Sequence, residues 1–367
     1  MKVLFFLAHL PKRVIYQHTS IVLAEGLRNL GIEFYGNIDY WQESLGGEYL
    51  IKQKTPDFKA DIHIYETHYF DAFSLDPKDV LDKSVINVTF DTADGYFTKS
   101  KYLDFSKHFT FVLRSHYVSK LGYPDNVYPW VFGISNRIMA IIEETKSQPN
   151  EYAIANTYRV GYNSRLLAKR YLMDKLKPDI KRLNFSEDTL AYRKTIDETL
   201  QLFWNQTARR HDPNYYKTLN KSSFSLCFGG AIVPYSYLTM SVMNNNTLRR
   251  VGRQLITISK TLGVSGVIPS LAYQFDSWRL WESLISNAIP IHLDFENWGF
   301  ELPVMPKNGV HYIGIEGLNF KKSLAFIHNL SQEGINSISN NGRDWGLENY
   351  SPTPTAKRFL ELLKRHS

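Results

Sequence analysis

Short apolar runs of strand length recur along this chain and alternate with segments of helical periodicity. The first run, Val3 to Ala8, is typical of a buried parallel strand and is followed, after a loop, by a helix that Thr19 or Ser20 can cap and Gly31 can end. Further strand candidates begin at Ile32, Asp61, Val85 and Phe109. This alternation predicts a Rossmann-like α/β domain in the first part of the chain.

The same alternation returns in the second part of the chain. A short strand at Tyr158 to Val160 is predicted to meet Gly161 and then a helix that carries the leucines of RLLAKRYLM. Later strand candidates are KRLNFS, FSLCFGG, IPIHL and VHYIGI. The pattern predicts a second α/β domain of similar size.

The length of the chain and local changes in its sequence pattern divide it into four parts. With 367 residues, the chain exceeds the roughly 250 at which single cores stop growing, so two domains are expected. We predict a first domain at 1–135, a linker at 136–155, a second domain at 156–350 and a closing amphipathic helix at 351–367. The segment 231–274 is interpreted as an insertion that packs over the cleft between the domains.

Composition excludes several classes of protein. Hydrophobic residues make up 43% and charged residues 22%, which is typical of a folded globular chain. The single cysteine, Cys227, excludes an internal disulfide and a multi-cysteine metal site. No apolar run approaches the roughly 20 residues of a membrane span, and the apolar run at the N-terminus is too short for a signal peptide, so a cytoplasmic protein is expected.

The stretch YRVGYNSR, from Tyr158 to Arg165, has the layout of a strand-to-helix junction. Such junctions present backbone N–H groups and the positive end of the helix dipole, which suit a phosphate. Gly161 permits close approach, and Arg159 and Arg165 are available to neutralise a diphosphate. The alternative, solvated surface arginines, is equally open. GxxxxGK[ST] and GxGxxG do not occur, so neither an NTPase nor an NAD-type dehydrogenase is indicated.

The stretch DSWRLWESLISNAIPIHL combines an apolar helix face with two charges. Trp278 and Trp281 lie on the buried face, while Arg279 and Glu282, at i and i+3, lie together on a flank near the helix N-terminus. A surface ion pair of little energetic value is one interpretation. The other has Glu282 accepting hydrogen bonds from a ribose, with Ser277 and Arg279 close to phosphate.

Three segments together carry a resemblance to a known family. SSFSLCFGG, then SWRLWESLISNAIPIHLDF, then Trp345 and the NYSP of 349–352 resemble the donor half of GT-B glycosyltransferases, especially the exostosin-like ones. The resemblance spans roughly Asn156 to Ser367 and departs from the family pattern in the long interval 231–274. It implies a nucleotide-sugar-binding second domain, an acceptor-binding first domain and a final helix that crosses back to the first domain.

The resemblance also implies roles for particular residues. Arg279 and Glu282 match the nucleotide-contacting positions, and Arg159 and Arg165 match diphosphate contacts more weakly. The sequence has no Asp-x-Asp, its nearest form being Asp294-x-Glu296. A metal-independent transferase without a cofactor is therefore expected, in which arginines and a helix dipole stabilise the departing nucleotide diphosphate.

An inverting transfer needs a general base on the first domain. Asp91 and Asp94 follow a predicted strand, at the edge of an open α/β sheet where ligands bind, and are the first choices. Glu66 and His18 occupy similar positions after other strands and come next. Each of them alone is explained at least as well by a role in loop structure or helix capping.

Several questions of function stay open at this point. The expected partners are a UDP- or GDP-linked sugar and a glycan or glycolipid acceptor, with a peripheral membrane contact as a further possibility. A CMP-Kdo or sialic-acid type transferase is a nearby alternative. The net charge of +7 and many aromatic residues would also suit a nucleic-acid-binding protein, but no RRM, KH, HTH or zinc pattern supports one, so no nucleic acid is expected as a partner. A sugar-binding protein without turnover is the third alternative.

Overall fold

The first half of the molecule is built on a parallel sheet. The computed structural model describes residues 1–8, 17–93, 104–146, 151–157, 162–184, 198–206, 213–234, 246–261 and 270–365. The elements of the first half are β1 (Lys2–Phe6), α1 (His18–Asn29), β2 (Glu33–Gly36), β3 (Tyr40–Gln42), β4 (Tyr49–Ile51), β5 (Ile62–Glu66), α2 (Thr67–Phe73), α3 (Pro77–Val80), β6 (Ile86–Asp91), β7 (Phe111–Arg114) and β8 (Val127–Pro129).

Six of these strands form the first sheet, in the order β2-β1-β5-β6-β7-β8, and all neighbours are parallel. The central strands are apolar and buried, as a sheet covered on both faces requires. Since all of these strands point the same way, their carboxyl ends meet at one edge. That edge carries Glu66, Asp91 and Arg114, the last residues of β5, β6 and β7.

The second half has a sheet of the same kind. Its elements are α4 (Asn136–Glu144), β9 (Glu151–Asn156), α5 (Asn163–Tyr171), β10 (Lys181–Asn184), α6 (Glu198–Asn205), α7 (Pro213–Lys221), β11 (Ser222–Leu226), β12 (Ala231–Pro234), α8 (Asn246–Thr261), β13 (Ser270–Tyr273), α9 (Trp278–Ile285), β14 (Ile289–Leu293), α10 (Phe295–Trp298), β15 (Ile313–Ile315), α11 (Phe320–Asn329) and α12 (Gln332–Tyr350). Strands β10-β9-β11-β14-β15 pair in this order, all parallel.

Two segments that the sequence set apart, the predicted linker and the predicted insertion, contain helices and strands. The segment 136–155, assigned from sequence to the linker, contains α4 and most of β9, and the predicted strand at 158–160 lies outside the described residues. Within 231–274, β12 and β13 form an antiparallel ribbon, and α8 packs against β12 and α5. Across the described ranges, no helix is both long and apolar enough to cross a membrane.

The last helix, α13 (Pro352–Lys364), returns to the first half and packs along α1. Its Ala356, Phe359 and Leu363 belong to the same buried cluster as Leu27 of α1. The two helices approach so closely that a Cβ on Gly26 would lie 2.0 Å from the Pro352 carbonyl oxygen. The predicted fold class is confirmed: an α/β chain with two Rossmann-like halves and a closing helix that crosses back.

Candidate functional site

A pair of glycines follows β11 at the carboxyl edge of the second sheet. Gly230 has a φ of +47°, and a Cβ there would lie 1.5 Å from the Tyr273 carbonyl oxygen. A Cβ on Gly229 would lie 2.3 Å from the Gln274 carbonyl oxygen. Only glycine therefore lets the chain turn from β11 into β12 against the end of β13.

The first residues of α5 are bound to this glycine turn. The Ser164 hydroxyl donates to the carbonyl oxygens of Gly229 and Gly230 at 2.8 and 2.5 Å. The Asn163 side chain accepts from the Ile232 N–H at 2.9 Å and donates to the Ile232 carbonyl at 2.7 Å. These bonds fix the N-terminus of α5, where the sequence predicts a phosphate, at the carboxyl edge of the second sheet.

Two arginines predicted to bind the donor lie at this same edge. Arg165 Nε donates to the Phe228 carbonyl at 2.9 Å. Arg279 donates through Nε and Nη2 to the Thr157 carbonyl at 3.1 and 2.9 Å. Because Thr157 follows β9 and Phe228 follows β11, these bonds bring the two side chains to neighbouring strand ends. A guanidinium has five N–H donors, so the bonds to Thr157 do not exhaust those of Arg279.

Ser277, the N-cap residue of α9, adds a hydroxyl to this edge. Its Oγ lies 3.5 Å from the carbonyl oxygen of Cys227, to which it donates. Cys227 itself is buried, and burial raises the pKa of its thiol to about 11, so the thiol is protonated at neutral pH. The other two predicted donor contacts, Arg159 and Gly161, lie outside the described residues.

Glu282 has partners that differ from those predicted for it. Its carboxylate accepts hydrogen bonds from the hydroxyls of Tyr215 at 2.6 Å and Tyr216 at 3.1 Å, both on α7. The side chain is buried, and burial together with the nearby carboxylate raises the pKa of Tyr215. The charges of Arg279 and Glu282 thus have different hydrogen-bond partners. Nothing in the sequence connected the consecutive tyrosines, Tyr215 and Tyr216, with Glu282.

Trp278, the first residue of α9, joins the second half to the first. Its ring is stacked on Phe132 with centroids 4.2 Å apart, and the His18 ring of α1 meets it edge-on at 4.4 Å. His18 is buried at this contact, and burial lowers its pKa to about 3, with the positive charge of Arg137 acting in the same direction. The His18 imidazole is therefore neutral at ordinary pH.

Asp276, two residues before Trp278, was not predicted from the sequence as a site residue. One carboxylate oxygen accepts from the Phe132 backbone N–H at 2.9 Å and the other from Trp281 Nε1 at 2.6 Å. Burial raises the pKa of Asp276 to about 7, although these bonds oppose the shift. Asp276 ties the start of α9 to the segment that leaves the first half. The only signal in the sequence was its position next to Ser277.

Glu66 ends β5 at the carboxyl edge of the first sheet. Its Oε1 accepts hydrogen bonds from the hydroxyls of Thr19 at 2.6 Å and Ser20 at 2.9 Å, which follow His18 on α1. Burial raises the pKa of this carboxyl to about 7, and the negative charge of Asp91 acts in the same direction. Glu66 thus lies next to the first turn of α1, the turn that carries His18.

Asp91, at the end of β6, forms a fully buried ion pair with Arg114 at the end of β7. Its other oxygen accepts from the Ala93 N–H at 3.1 Å. Arg114 was not identified from the sequence, although an arginine ending an apolar strand is an unusual feature. Asp94, the other first choice for the base, lies outside the described residues.

Asp294 belongs to Asp294-x-Glu296, the nearest form of an Asp-x-Asp metal motif in the sequence, and its carboxylate has structural partners. Asp294 caps α10 by accepting from the Asn297 N–H at 2.8 Å, and it also accepts from the Tyr312 hydroxyl at 3.0 Å. Within the ranges that the structure describes, no group of three His, Cys, Asp or Glu side chains is placed to hold a metal ion.

Known structures share the fold over the entire chain. A glycosyltransferase from Rickettsia africae ESF-5 aligns with a TM-score of 0.54 and 11% identity, covering 99% of this chain and 98% of its own. HepE from Anabaena, solved with UDP-glucose, aligns at 0.52 and 9% identity over 100% of both chains. An alpha-glucosyltransferase solved with UDP and a 13-mer DNA aligns at 0.54 and 10% identity over 99% of both.

These neighbours have the GT-B fold, which agrees with the fold class predicted from the sequence. No protein-family model and no curated protein matches the sequence. At identities this low, the likeness establishes the fold and leaves the chemistry to be argued from the residues.

Proposed function

We propose that this protein is a glycosyltransferase that moves a sugar from a UDP-linked donor to a glycan or lipid-linked glycan. The observation that carries the proposal is the meeting of the two halves at Trp278 and His18, beside the carboxyl edges of both parallel sheets. Ligands of open α/β sheets bind at such edges. The full-length likeness to structures solved with UDP or UDP-glucose supports the choice of nucleotide.

The donor diphosphate is assigned to the N-terminal ends of α5 and α9. Arg165 and Arg279 are held at neighbouring strand ends, and two guanidinium groups can stabilise the charge that develops on a departing diphosphate. Ser277 supplies a hydroxyl there, and the sequence predicts Arg159 and Gly161 as further contacts of the diphosphate. With two arginines in this place, the reaction is expected to proceed without a divalent metal, and EDTA is expected to leave its rate unchanged.

Glu282 is assigned a positioning role on the donor side. Each of its oxygens accepts a hydrogen bond from a tyrosine of α7, at 2.6 Å from Tyr215 and at 3.1 Å from Tyr216. Through these bonds Glu282 fixes the rotation of α9 about its own axis. That rotation determines where Arg279 and Ser277 point.

On the acceptor side, Glu66 is the general base that we favour. A base works best when its pKa is near the operating pH, and the pKa of Glu66 is raised to about 7. Asp91 is neutralised by Arg114, and the lowered pKa of His18 makes its imidazole a weak base. Thr19 and Ser20 orient the Glu66 carboxylate, much as an orienting partner holds the base of a catalytic pair.

The direct test is the melting temperature of the purified protein with UDP, GDP and CMP. UDP is expected to raise it most, because a ligand that binds only the native state stabilises that state. Arg279→Gln is expected to reduce the shift, whereas Arg343→Gln on α12, an arginine paired with the exposed Glu143, is expected to leave it unchanged. Equal shifts in both variants would refute the donor site.

Product analysis then separates the remaining alternatives. Transfer from UDP-glucose or another UDP-sugar to a glycan or glycolipid acceptor supports the proposal. A CMP-specific shift would select the CMP-Kdo or sialic-acid type, and UDP binding without any product would select a non-catalytic sugar-binding protein. Salt-sensitive DNA binding without a nucleotide shift would select a nucleic-acid-binding protein. The resemblance of residues 156–367 to exostosin-like transferases stays a prediction, and identification of the acceptor would test it.

A further inference from the structure

Helix α8 has a buried face and, in addition, apolar side chains on an exposed face, where a surface helix usually carries polar ones. Ile256 and Ser259 are buried and pack toward the rest of the second half. On another face, Val251, Leu255 and Ile258 are 40%, 43% and 53% exposed. Their spacing of four and three residues places them in one stripe along the helix. This stripe is the apolar stripe of α8.

The surroundings of the apolar stripe are basic. α8 reads NTLRRVGRQLITISKT and the neighbouring α5 reads NSRLLAKRY, so both helices contain basic residues and neither contains an Asp or Glu. The two helices pack together, with the Tyr171 hydroxyl 3.4 Å from Thr261 Oγ1. Lys169, Arg170 and Arg250 are exposed, and no acidic side chain in the described part of the chain forms an ion pair with them.

We propose that the apolar stripe of α8, with the exposed cations of α5 and α8, docks this protein on an anionic lipid bilayer. A bilayer surface offers an apolar layer for Val251, Leu255 and Ile258 and, adjoining that layer, anionic headgroups for the cations. A nucleic acid would satisfy the cations alone. The helix lies in the plane of the interface, because it is amphipathic and does not span the membrane.

Docking through α8 places the second half beside the membrane. α8 packs on β12, which continues from the Gly229–Gly230 turn, and Asn163 binds β12 through Ile232. The carboxyl edge of the second sheet is therefore held one layer away from the docked helix. This inference stands on the surface alone and does not depend on the proposed sugar transfer.

The test is co-sedimentation of the full chain with phosphatidylcholine vesicles that contain or lack phosphatidylglycerol. The protein is expected to bind the anionic vesicles, and binding is expected to weaken as salt rises. In the double variant Leu255→Ser with Ile258→Ser, binding is expected to fall about tenfold or more. The matched control, Val310→Ser with Phe326→Ser, also removes two exposed apolar side chains, which lie outside α5 and α8, and is expected to bind like the wild type.

Other results would overturn the proposal. Absence of vesicle binding by the wild type would do so, as would an equal loss in the control. If the α8 variant instead turned a dimer into a monomer without changing vesicle binding, the stripe would be an interface between copies of this chain. Binding of a DNA oligonucleotide that the Ser substitutions leave intact, with no vesicle binding, would assign the cations to nucleic acid. The UDP-dependent melting shift of the α8 variant should stay at the wild-type value, which separates this outcome from a failed donor site.

Discussion

At the scale of single residues, Glu66 combines a buried carboxyl with two hydroxyl donors. Glu66→Gln keeps an oxygen that can accept from Thr19 and Ser20 but loses the ability to take a proton. If Glu66 is the base, kcat is expected to fall by roughly 10²- to 10⁴-fold while the UDP-dependent melting shift is retained. The control is Glu48→Gln, an exposed glutamate of the first half.

The pH dependence of the rate is a second test of Glu66 as the general base. The ionised carboxylate is the active form of a base, and the pKa of Glu66 is raised to about 7. The wild-type rate is therefore expected to rise as the pH rises through about 7 and then level off. A rate that is flat between pH 5 and pH 8 would assign the base to another group.

Substitution of Glu282 distinguishes a positioning role of its carboxylate from direct binding of the ribose. Glu282→Gln is expected to lower the free energy of unfolding by about 1–3 kcal/mol, because the two tyrosine hydroxyls lose a charged acceptor. The melting shift caused by UDP is expected to fall less than in Arg279→Gln. Urea unfolding and UDP titration check both effects. If Glu282→Gln kept its stability and lost the UDP shift, its carboxylate would be the ribose contact.

At the scale of elements, the crossing of α1 and α13 depends on one glycine. Gly26→Ala would place a methyl group 2.0 Å from the Pro352 carbonyl oxygen, so the helices would have to separate. A loss of roughly 1–3 kcal/mol in the free energy of unfolding is expected. Gly334→Ala on α12 is the matched helical control: its nearest atom, at 3.2 Å, is the end of a leucine side chain. Equal effects in the two variants would contradict the close approach.

The junction of α1 with α4 makes stability depend on pH. Glu25 Oε2 accepts from the Asn136 N–H at the start of α4 at 2.8 Å, and burial raises the pKa of Glu25 from its ordinary 4.5 to about 8. Between these values the folded protein holds a proton that the unfolded chain releases. The contribution of Glu25 to stability is thus fully present below pH 4.5 and is lost as the pH rises through about 8.

Glu25→Gln should remove this dependence. From pH 5 to pH 8, the difference in unfolding free energy between variant and wild type is expected to move in favour of the variant, on the order of 1 kcal/mol per pH unit. Urea unfolding at several pH values measures the slope. Glu33→Gln, an exposed glutamate of β2, should leave the wild-type slope unchanged.

At the scale of the whole molecule, α13 completes the core of the first half. Phe359 is fully buried among residues of that half, so Phe359→Ala is expected to lower the free energy of unfolding by about 3–5 kcal/mol. Phe326→Ala, which removes a 40% exposed phenylalanine of α11, is expected to have a small effect. Urea midpoints of the two variants check this, and similar midpoints would show that α13 contributes little to that core.

Five of the six strands of the first sheet, all but β8, could be predicted from the sequence because buried parallel strands need unbroken apolar runs. VLFF in β1 and FVL in β7 are such runs. β9 escaped prediction because its sequence, EYAIAN, begins and ends with polar residues and contains two alanines, which have little strand preference. The placement of the predicted strand at 158–160 lies outside the described residues.

The site could be predicted only in part, because its partners are far apart in the chain. The junction before α5 and the start of α9 have local signals, namely glycines, helix caps and charges. The bond from Thr19 to Glu66 spans 47 residues and that from Tyr215 to Glu282 spans 67. Such pairs depend on which strands and helices become neighbours. Local sequence patterns do not show which elements become neighbours, because that order is determined by the complete fold.

The crossing of α13 over α1 also has a consequence during synthesis. Asn29 of α1 bonds to Thr353 of α13, and the two are 324 residues apart. At the usual rate of ribosomal synthesis, roughly 5–20 residues per second, α1 waits on the order of 16–65 s for its partner helix. Throughout that time the apolar face around Leu27 stays open in the nascent chain. The core of the first half is therefore completed only after α13 has been made, and the surface exposed until then is where a chaperone would be expected to bind.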